Sequence, residues 1–391
     1  MPAPVSPQDF SEIRWRGHWI WVPEEPIVPG SFLPTGERPA GKESHGLFRK
    51  TVHLDRVPDR APARITADSR YALFVNGQEV FRGPIRSQPH RLQYDLCDLT
   101  PYLSPGRNIL AVYVKYYGTP TSYWMPAVPN VMLGKNGILV FEADLGDAGW
   151  LASDATWKAR RVDAWSDEWR ASLVSAVGGG VPIEVFDAGR FPHAWREADF
   201  DDSAWGTAQV VPAVHIGGFA RTQPPTDPYG PLHPRPIARL GGGVRTPTGI
   251  NVEILEGVVD AAIGSPVKRV EAALTLPVAR AARAGTLPLA MEVPAGGTVR
   301  VTLDMGRIVS GLVQFALDAP AGTVLDLSYV EEPVKGPAGM IGTHAGTRYI
   351  ARGADDQFQV FDSNGLRYAH MLVHQAQGPV TLRSFSVREQ L

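Results

Sequence analysis

The feature that most constrains this chain is its punctuation. Short alternating segments are interrupted by glycine, proline and asparagine, with little 3.6-residue periodicity between them. "ITADSRYALFVNGQEV" (65–80) shows the pattern. Tyr71, Leu73 and Val75 fall on one face of an extended segment, and Ala72 and Phe74 on the other. Asn76-Gly77 can take positive φ at both positions, as a type I′ turn requires, so the spacing predicts a chain reversal there. "GLFRKTVHL" (46–54), "NILAVYVKYYG" (108–118) and "GILVFEADL" (137–145) repeat the strand pattern, and "DLTPYLSPGRN" (98–108) reads as a short helical turn ended by Pro105-Gly106. Regular short strands separated by turn chemistry predict an all-β chain built from sandwiches.

A chain of 391 residues is too long for one ordinary core. The pattern divides it into a leader with first strands (1–45), a first sandwich (46–216), a Pro-rich linker (217–236) and a second sandwich (237–391). In the last of these, "VARAARA" (278–284) is the one stretch that reads as a helical turn, and "TRYIARGADDQFQVF" (347–361) reads as a hairpin. Hydrophobic content of 44 % with 20 % charged residues is that of a folded globular protein. The net charge of −2 gives no reason to expect a nucleic-acid or membrane partner. The opening residues lack a basic segment followed by an apolar run, so the expected location is cytoplasmic. Cys97 is the only cysteine, which excludes an intrachain disulfide and a cysteine-rich metal site.

Several chemistries find no support. There is no phosphate-binding G-x-x-x-x-G-K-[ST], no G-x-S-x-G elbow and no H-E-x-x-H. A glycosidase needs an acid and a base or nucleophile. Glu142 and Asp144 in "FEADLGD" stand two apart and share one strand face, where a solvated surface pair is the simpler reading. Glu331 and Glu332 are adjacent and point to opposite sides. Sugar binding asks for less: aromatic platforms, a few directed polar groups, and in some sites a calcium ion. Asp68 and Arg70 at the strand entrance, Arg86 and Tyr94 in and after "FRGPIRSQPHRLQYD", and Trp124 in "YYGTPTSYWMPA" are the candidates.

These same residues carry a family resemblance. "ITADSRYALFVNGQEVFRGPIRSQPHRLQYDLCDLTPYLSPGRNILAVYV" resembles the N-terminal jelly-roll module of bacterial α-L-rhamnosidases, glycoside hydrolase family 78, and "FDDSAW" (200–205) is similar to the ending of that module. "VTLDMGRIVSGLVQFALDAPAGTVLDLSYVEE" and "GLRYAHMLVH" resemble the second sandwich of the same family. The resemblance implies two sandwiches that would precede an (α/α)₆ barrel, and the barrel holds the family's acid and base. No position of this sequence matches those catalytic residues. Met305 stands where relatives commonly have an aromatic, and Arg307-Ile308 where a Gln-Asn pair is frequent. Some relatives bind rhamnose through calcium with an Asp-Asn pair at the hairpin entrance. Here Asp68 is followed by Ser69, so one of the two implied ligands is replaced.

The expectation is therefore a non-catalytic, rhamnoside-binding portion of an α-L-rhamnosidase-like protein. Its partners would be carbohydrate together with a catalytic domain or a second copy of the chain. The alternatives are a glycosidase that uses Glu142, Asp144, Glu331 or Glu332, and a purely structural or interaction module.

Overall fold

The computed structural model describes residues 5–10, 14–25, 42–87, 91–118, 137–166, 183–211, 222–224, 231–332 and 345–391. Strands dominate them, as expected of an all-β chain, and Pro266–Ala273 is the one α-helix among the described residues. The chain divides into two compact units: Met1–Val162 with Pro192–Ala238, and Asp163–Phe191 with Arg239–Leu391. Residues 163–191 thus fall in the second unit and not with 46–216. The reason is a strand pairing invisible to local pattern: Glu184–Asp187 runs parallel to Gly346–Ile350.

The first unit is two facing sheets. The six-stranded sheet runs Gly206–Thr207, Lys158–Arg161, Ser44–Leu54, Gly106–Tyr116, Arg70–Val75, Gln78–Gly83. The other runs Gln209–Val210, Ile20–Trp21, Ile138–Asp144, Pro62–Asp68, Gln93–Asp98, His233–Pro234, with Trp150–Ala152 beside Ile138–Asp144. The predicted turn forms, with φ of 50° at Asn76 and 78° at Gly77. It joins Arg70–Val75 to Gln78–Gly83, whereas Pro62–Asp68 belongs to the opposite sheet. Tyr71, Leu73 and Val75 enter the core between the sheets with Phe48, Ile65, Val112, Val114, Leu139, Phe141 and Trp157. Each such side chain stabilises by roughly 1.5–3 kcal/mol through removal from water. Gly137 is required beside this core, because a Cβ there would lie 2.2 Å from the Trp21 ring.

Both outer faces are also covered, which is why the alternating strands are buried on both sides. On the six-stranded sheet, Phe74 meets Trp195 edge to face at 5.8 Å. Arg49, 1 % exposed, ties the irregular 192–205 segment down. Its Nε donates to Asp202 at 2.8 Å and its guanidinium to the carbonyls of Trp195 and Glu197. On the seven-stranded sheet, Trp15, Trp19, Leu92, Tyr94, Tyr117, Ile138, Val140 and Val211 form a second cluster. The described part of the expected linker belongs to this cover. Trp19 N–H donates to the Thr222 carbonyl at 2.8 Å, and His233–Pro234 adds an edge strand parallel to Gln93 and Tyr94. An edge position tolerates Pro234, which has no N–H to offer a neighbour. Arg235 then pairs with buried Asp95, which also accepts from the Tyr71 hydroxyl at 2.5 Å.

In the second unit, Thr298–Asp318 pairs with different strands along its length. Residues 298–304 pair with Gly249–Leu255 and Asn364–His374, and 311–318 pair with Val380–Glu389. The register shifts between Asp304 and Val309, where Gly306 takes φ of 76° and Met305 stays buried. "VARAARA" is not helical; Val278–Ala284 is an edge strand paired with Gly249–Leu255. The helix lies just before it. Ser265 caps it by accepting from Lys268 N–H, Pro266 opens it, and Val267, Val270 and Ala273 bury one face. The expected hairpin at 347–361 also separates. Gly346–Ile350 pairs with Val324–Val330, while Asp356–Gln359 pairs with 314–317. Asp356 turns the chain between the two by accepting from Tyr349 Oη at 2.6 Å and Arg352 N–H at 2.9 Å.

Candidate functional site

The chain changes sheet at the polar entrance singled out from sequence. Asp68 ends Pro62–Asp68 opposite Ile138, and Arg70 begins the next strand opposite Lys115. Asp68 is 1 % exposed and Ser69 fully buried. Ser69 Oγ donates to Asp68 Oδ1 at 2.8 Å and accepts from Tyr117 N–H at 3.2 Å, so the serine hydroxyl locks the crossover. Arg70 is half-buried and donates to the Pro84 carbonyl at 2.9 Å. This bonds it to the loop that carries Arg86, which is exposed.

Beneath these groups lies a layer of buried polar side chains that sequence reasoning missed. Lys115 is 1 % exposed, with Nζ 3.8 Å from Glu43 Oε1 and 5.1 Å from the centre of the Tyr117 ring. Glu43 Oε1 also meets His45 Nε2 at 3.1 Å, while His45 Nδ1 lies 2.6 Å from Tyr113 Oη. Ser44 Oγ and Trp21 Nε1 donate to Glu25. Burial, with the Asp68 and Glu25 carboxylates nearby, pushes the Tyr116 hydroxyl well above its ordinary value. A signal for this layer existed: Lys115 interrupts an otherwise apolar strand, and a buried lysine requires a partner.

Tyr94 is placed differently from a free platform. It packs under Trp15 at 5.3 Å, edge to face, and is 6 % exposed. Burial raises its hydroxyl, with Arg64 opposing. Tyr94 and Tyr117 share one cluster, which connects the Asp68–Ser69 crossover to the outer face of the seven-stranded sheet. Trp124 lies outside the described residues.

The carboxylate pairs do not make an acid–base set in this geometry. Glu142 is fully buried; the solvated face expected of it is covered by the N-terminal segment. It accepts from Arg64 Nε at 2.8 Å, Arg16 N–H at 2.5 Å and Gly17 N–H at 3.1 Å. Arg64 in turn lies 4.1 Å from the centre of the Trp15 ring. Asp144 instead accepts from Gly146 N–H in its own turn. Glu331 and Glu332 are exposed in the second unit. Among the described residues no group of three or more His, Cys, Asp or Glu side chains could hold a metal ion, and Asp68 has a serine rather than a second carboxylate beside it.

The second unit has its own buried charge centre. Asp326 receives Arg269 Nε at 3.0 Å, Arg348 Nε at 2.6 Å and His374 Nε2 at 2.9 Å. Burial opposes its ionisation, but the hydrogen bonds from His374 and Arg348 outweigh burial and hold the carboxyl below the usual range. Arg269 sits on the helix, so this centre fixes Pro266–Ala273 to the sheet.

Comparison with known proteins defines the class. Residues 56–227 match the family described as the α-L-rhamnosidase N-terminal domain. The chain is 28 % identical over 224 residues to an α-L-rhamnosidase of Streptomyces avermitilis, covering 54 % of this chain and 18 % of that protein. Its fold is that of the rhamnosidase of family 78 from Bacillus sp. GL1, with a TM-score of 0.67 at 19 % identity over 96 % of this chain and 55 % of that one. The α-L-rhamnosidase of Dictyoglumus thermophilum is also similar, with a TM-score of 0.53 at 16 % identity, over 95 % of this chain and 35 % of that one. Residues 56–227 thus match the α-L-rhamnosidase N-terminal domain, and the chain has the fold of the β-sandwich portion of family 78 rhamnosidases. It spans under a fifth of the curated relative and about half of the first structural one.

Proposed function

We propose that this chain is the carbohydrate-binding, accessory portion of an α-L-rhamnosidase-like protein, with terminal L-rhamnose or a related deoxy sugar as its ligand. The observation that carries the reading is the crossover at Asp68–Ser69–Arg70, set inside the segment that matches the rhamnosidase N-terminal domain. The buried layer of Glu43, His45 and Lys115 holds the strand ends rigid. Arg70 and Arg86 are the groups that would donate to sugar hydroxyls. Preorganised donors on a rigid scaffold favour binding of a small polyol.

A docking role is the second reading. Leu240, Val244, Ile308 and Leu391 are 54 %, 58 %, 57 % and 69 % exposed. Gly241 and Leu391 exchange backbone hydrogen bonds, Val244 pairs with Arg388, and Arg307 beside Ile308 reaches Glu389, so these residues gather around the C-terminal strand. A patch of this kind suits a catalytic barrel as partner. Hydrolysis of an aryl α-L-rhamnoside by the purified chain, with and without calcium, tests the accessory role. The expected result is no turnover. Turnover that scales with protein and is lost in Glu331→Gln, or in Glu142→Gln under conditions where its unfolding transition shows that variant to be folded, would return the acid and base to the sandwiches.

A further inference from the structure

Val278–Ala284 ends the order of its sheet, with Gly249–Leu255 as its strand partner. Residues 278–283 are exposed on both faces. An antiparallel edge leaves the N–H and C=O of every second residue pointing outward, about three or four residues here. The side chains are Val-Ala-Arg-Ala-Ala-Arg-Ala. Neither Arg280 nor Arg283 has an ion pair among the described residues, and the nearby Glu253 is taken by Arg300 at 2.7 Å. Three residues apart, the two guanidinium groups point to opposite faces. Ala281 and Ala282 between them carry only methyl groups.

We infer that this edge accepts an acidic extended peptide segment by strand addition. The register sets the specificity. An antiparallel incoming strand with carboxylates at spacing three places one opposite Arg283 and one opposite Arg280. The two residues between them stand opposite Ala282 and Ala281, where the small side chains leave room for bulky β-branched ones. Cross-strand pairs of both kinds stabilise a ladder. A second copy of this chain is a poor occupant. Two-fold pairing centred on Ala281 sets Arg280 diagonal to its own copy, about 7–8 Å away across the ladder. The arginines therefore discourage self-pairing while selecting an acidic strand.

The test uses the full chain and a fluorescently labelled peptide, Thr-Glu-Val-Ile-Glu-Val-Thr, monitored by anisotropy and by hydrogen exchange of the amides of 278–284. Saturable binding and slowed exchange of alternate amides in this strand are expected. R280E/R283E should weaken the acidic peptide about tenfold or more, since two favourable pairs become two repulsive ones. The same variant should bind Thr-Lys-Val-Ile-Lys-Val-Thr in its place. Four results overturn the inference: no binding, equal binding of Thr-Glu-Glu-Val-Ile-Val-Thr, unchanged affinity in the variant, or self-association of the chain that the variant abolishes. The sugar reading stands or falls separately, because Arg280 and Arg283 belong to the second unit.

Discussion

Replacing Glu142 by glutamine keeps its volume and removes its charge, and the groups around it set the cost. Arg64 has a side chain only 4 % exposed and would be left without its carboxylate. Removing one partner of a buried pair costs about 3–5 kcal/mol. Arg64 keeps the Arg14 carbonyl at 3.0 Å and its place against Trp15, so the loss falls near the lower end, about 3 kcal/mol. With a denaturant slope of about 1–3 kcal/mol per molar, that is a fall of roughly 1–3 M in the urea midpoint. Trp15 and Trp19 lie in the same cluster, so tryptophan fluorescence reports the transition. Arg64→Met combined with Glu142→Leu removes both charges, and the double variant should lose about 2 kcal/mol less than the sum of the singles. A glutamine variant within about 0.5 kcal/mol of the parent, or strictly additive singles, would refute the role given to the pair.

Asp326→Asn bears on acid stability. The folded carboxyl lies below its unfolded value, so the unfolded chain binds the proton first as pH falls. The stabilisation is complete above the ordinary value of about 3.9 and is lost as pH falls through the folded one, so the asparagine variant should show a flatter urea midpoint against pH in that range. His370 behaves alike at higher pH: burial, aided by Arg300, lowers it to about 4. Its neutral form contributes fully above about 6.5 and the contribution of about 3 kcal/mol disappears as pH falls towards 4; His370→Gln should remove that slope, and an unchanged slope would contradict it. Arg49→Met should release the 192–205 segment, read as faster tryptic cleavage after Arg196 with the rest of the unit intact. Gly311→Ala should be poorly tolerated, because a Cβ would lie 2.1 Å from the Arg388 carbonyl oxygen, and a midpoint equal to the parent's would show that the two strands can separate there.

Where one strand and one turn decide the structure, the sequence was a good guide. The 71–75 alternation and the Asn76-Gly77 reversal are both as read, because side-chain period and turn chemistry are local. Pairings between distant segments were not legible. Residues 184–187 join 346–350 across more than 150 positions, and no local pattern records that partner. "VARAARA" misled for a related reason: alanine favours a helix, but an edge strand open on both faces buries no side chain that would require larger residues. Glu142 was misjudged because its cover, which includes Arg16 and Gly17, lies more than 120 positions away. At the candidate site, Asp68 and Arg70 were visible as polar residues at a strand entrance. Glu43, His45 and Lys115 escaped because each looks unremarkable alone and acquires meaning only when Ser44–Leu54 pairs with Gly106–Tyr116.

Sugar recognition at the crossover is tested most directly by titration calorimetry of L-rhamnose into the full chain, with D-glucose as control. Saturable binding of rhamnose is expected, lost in Arg70→Ala/Arg86→Ala while the variant still unfolds in a cooperative urea transition, shifted only by the lost Arg70–Pro84 hydrogen bond, about 1 kcal/mol. Absence of rhamnose binding, or binding that survives the loss of both arginines, would contradict it.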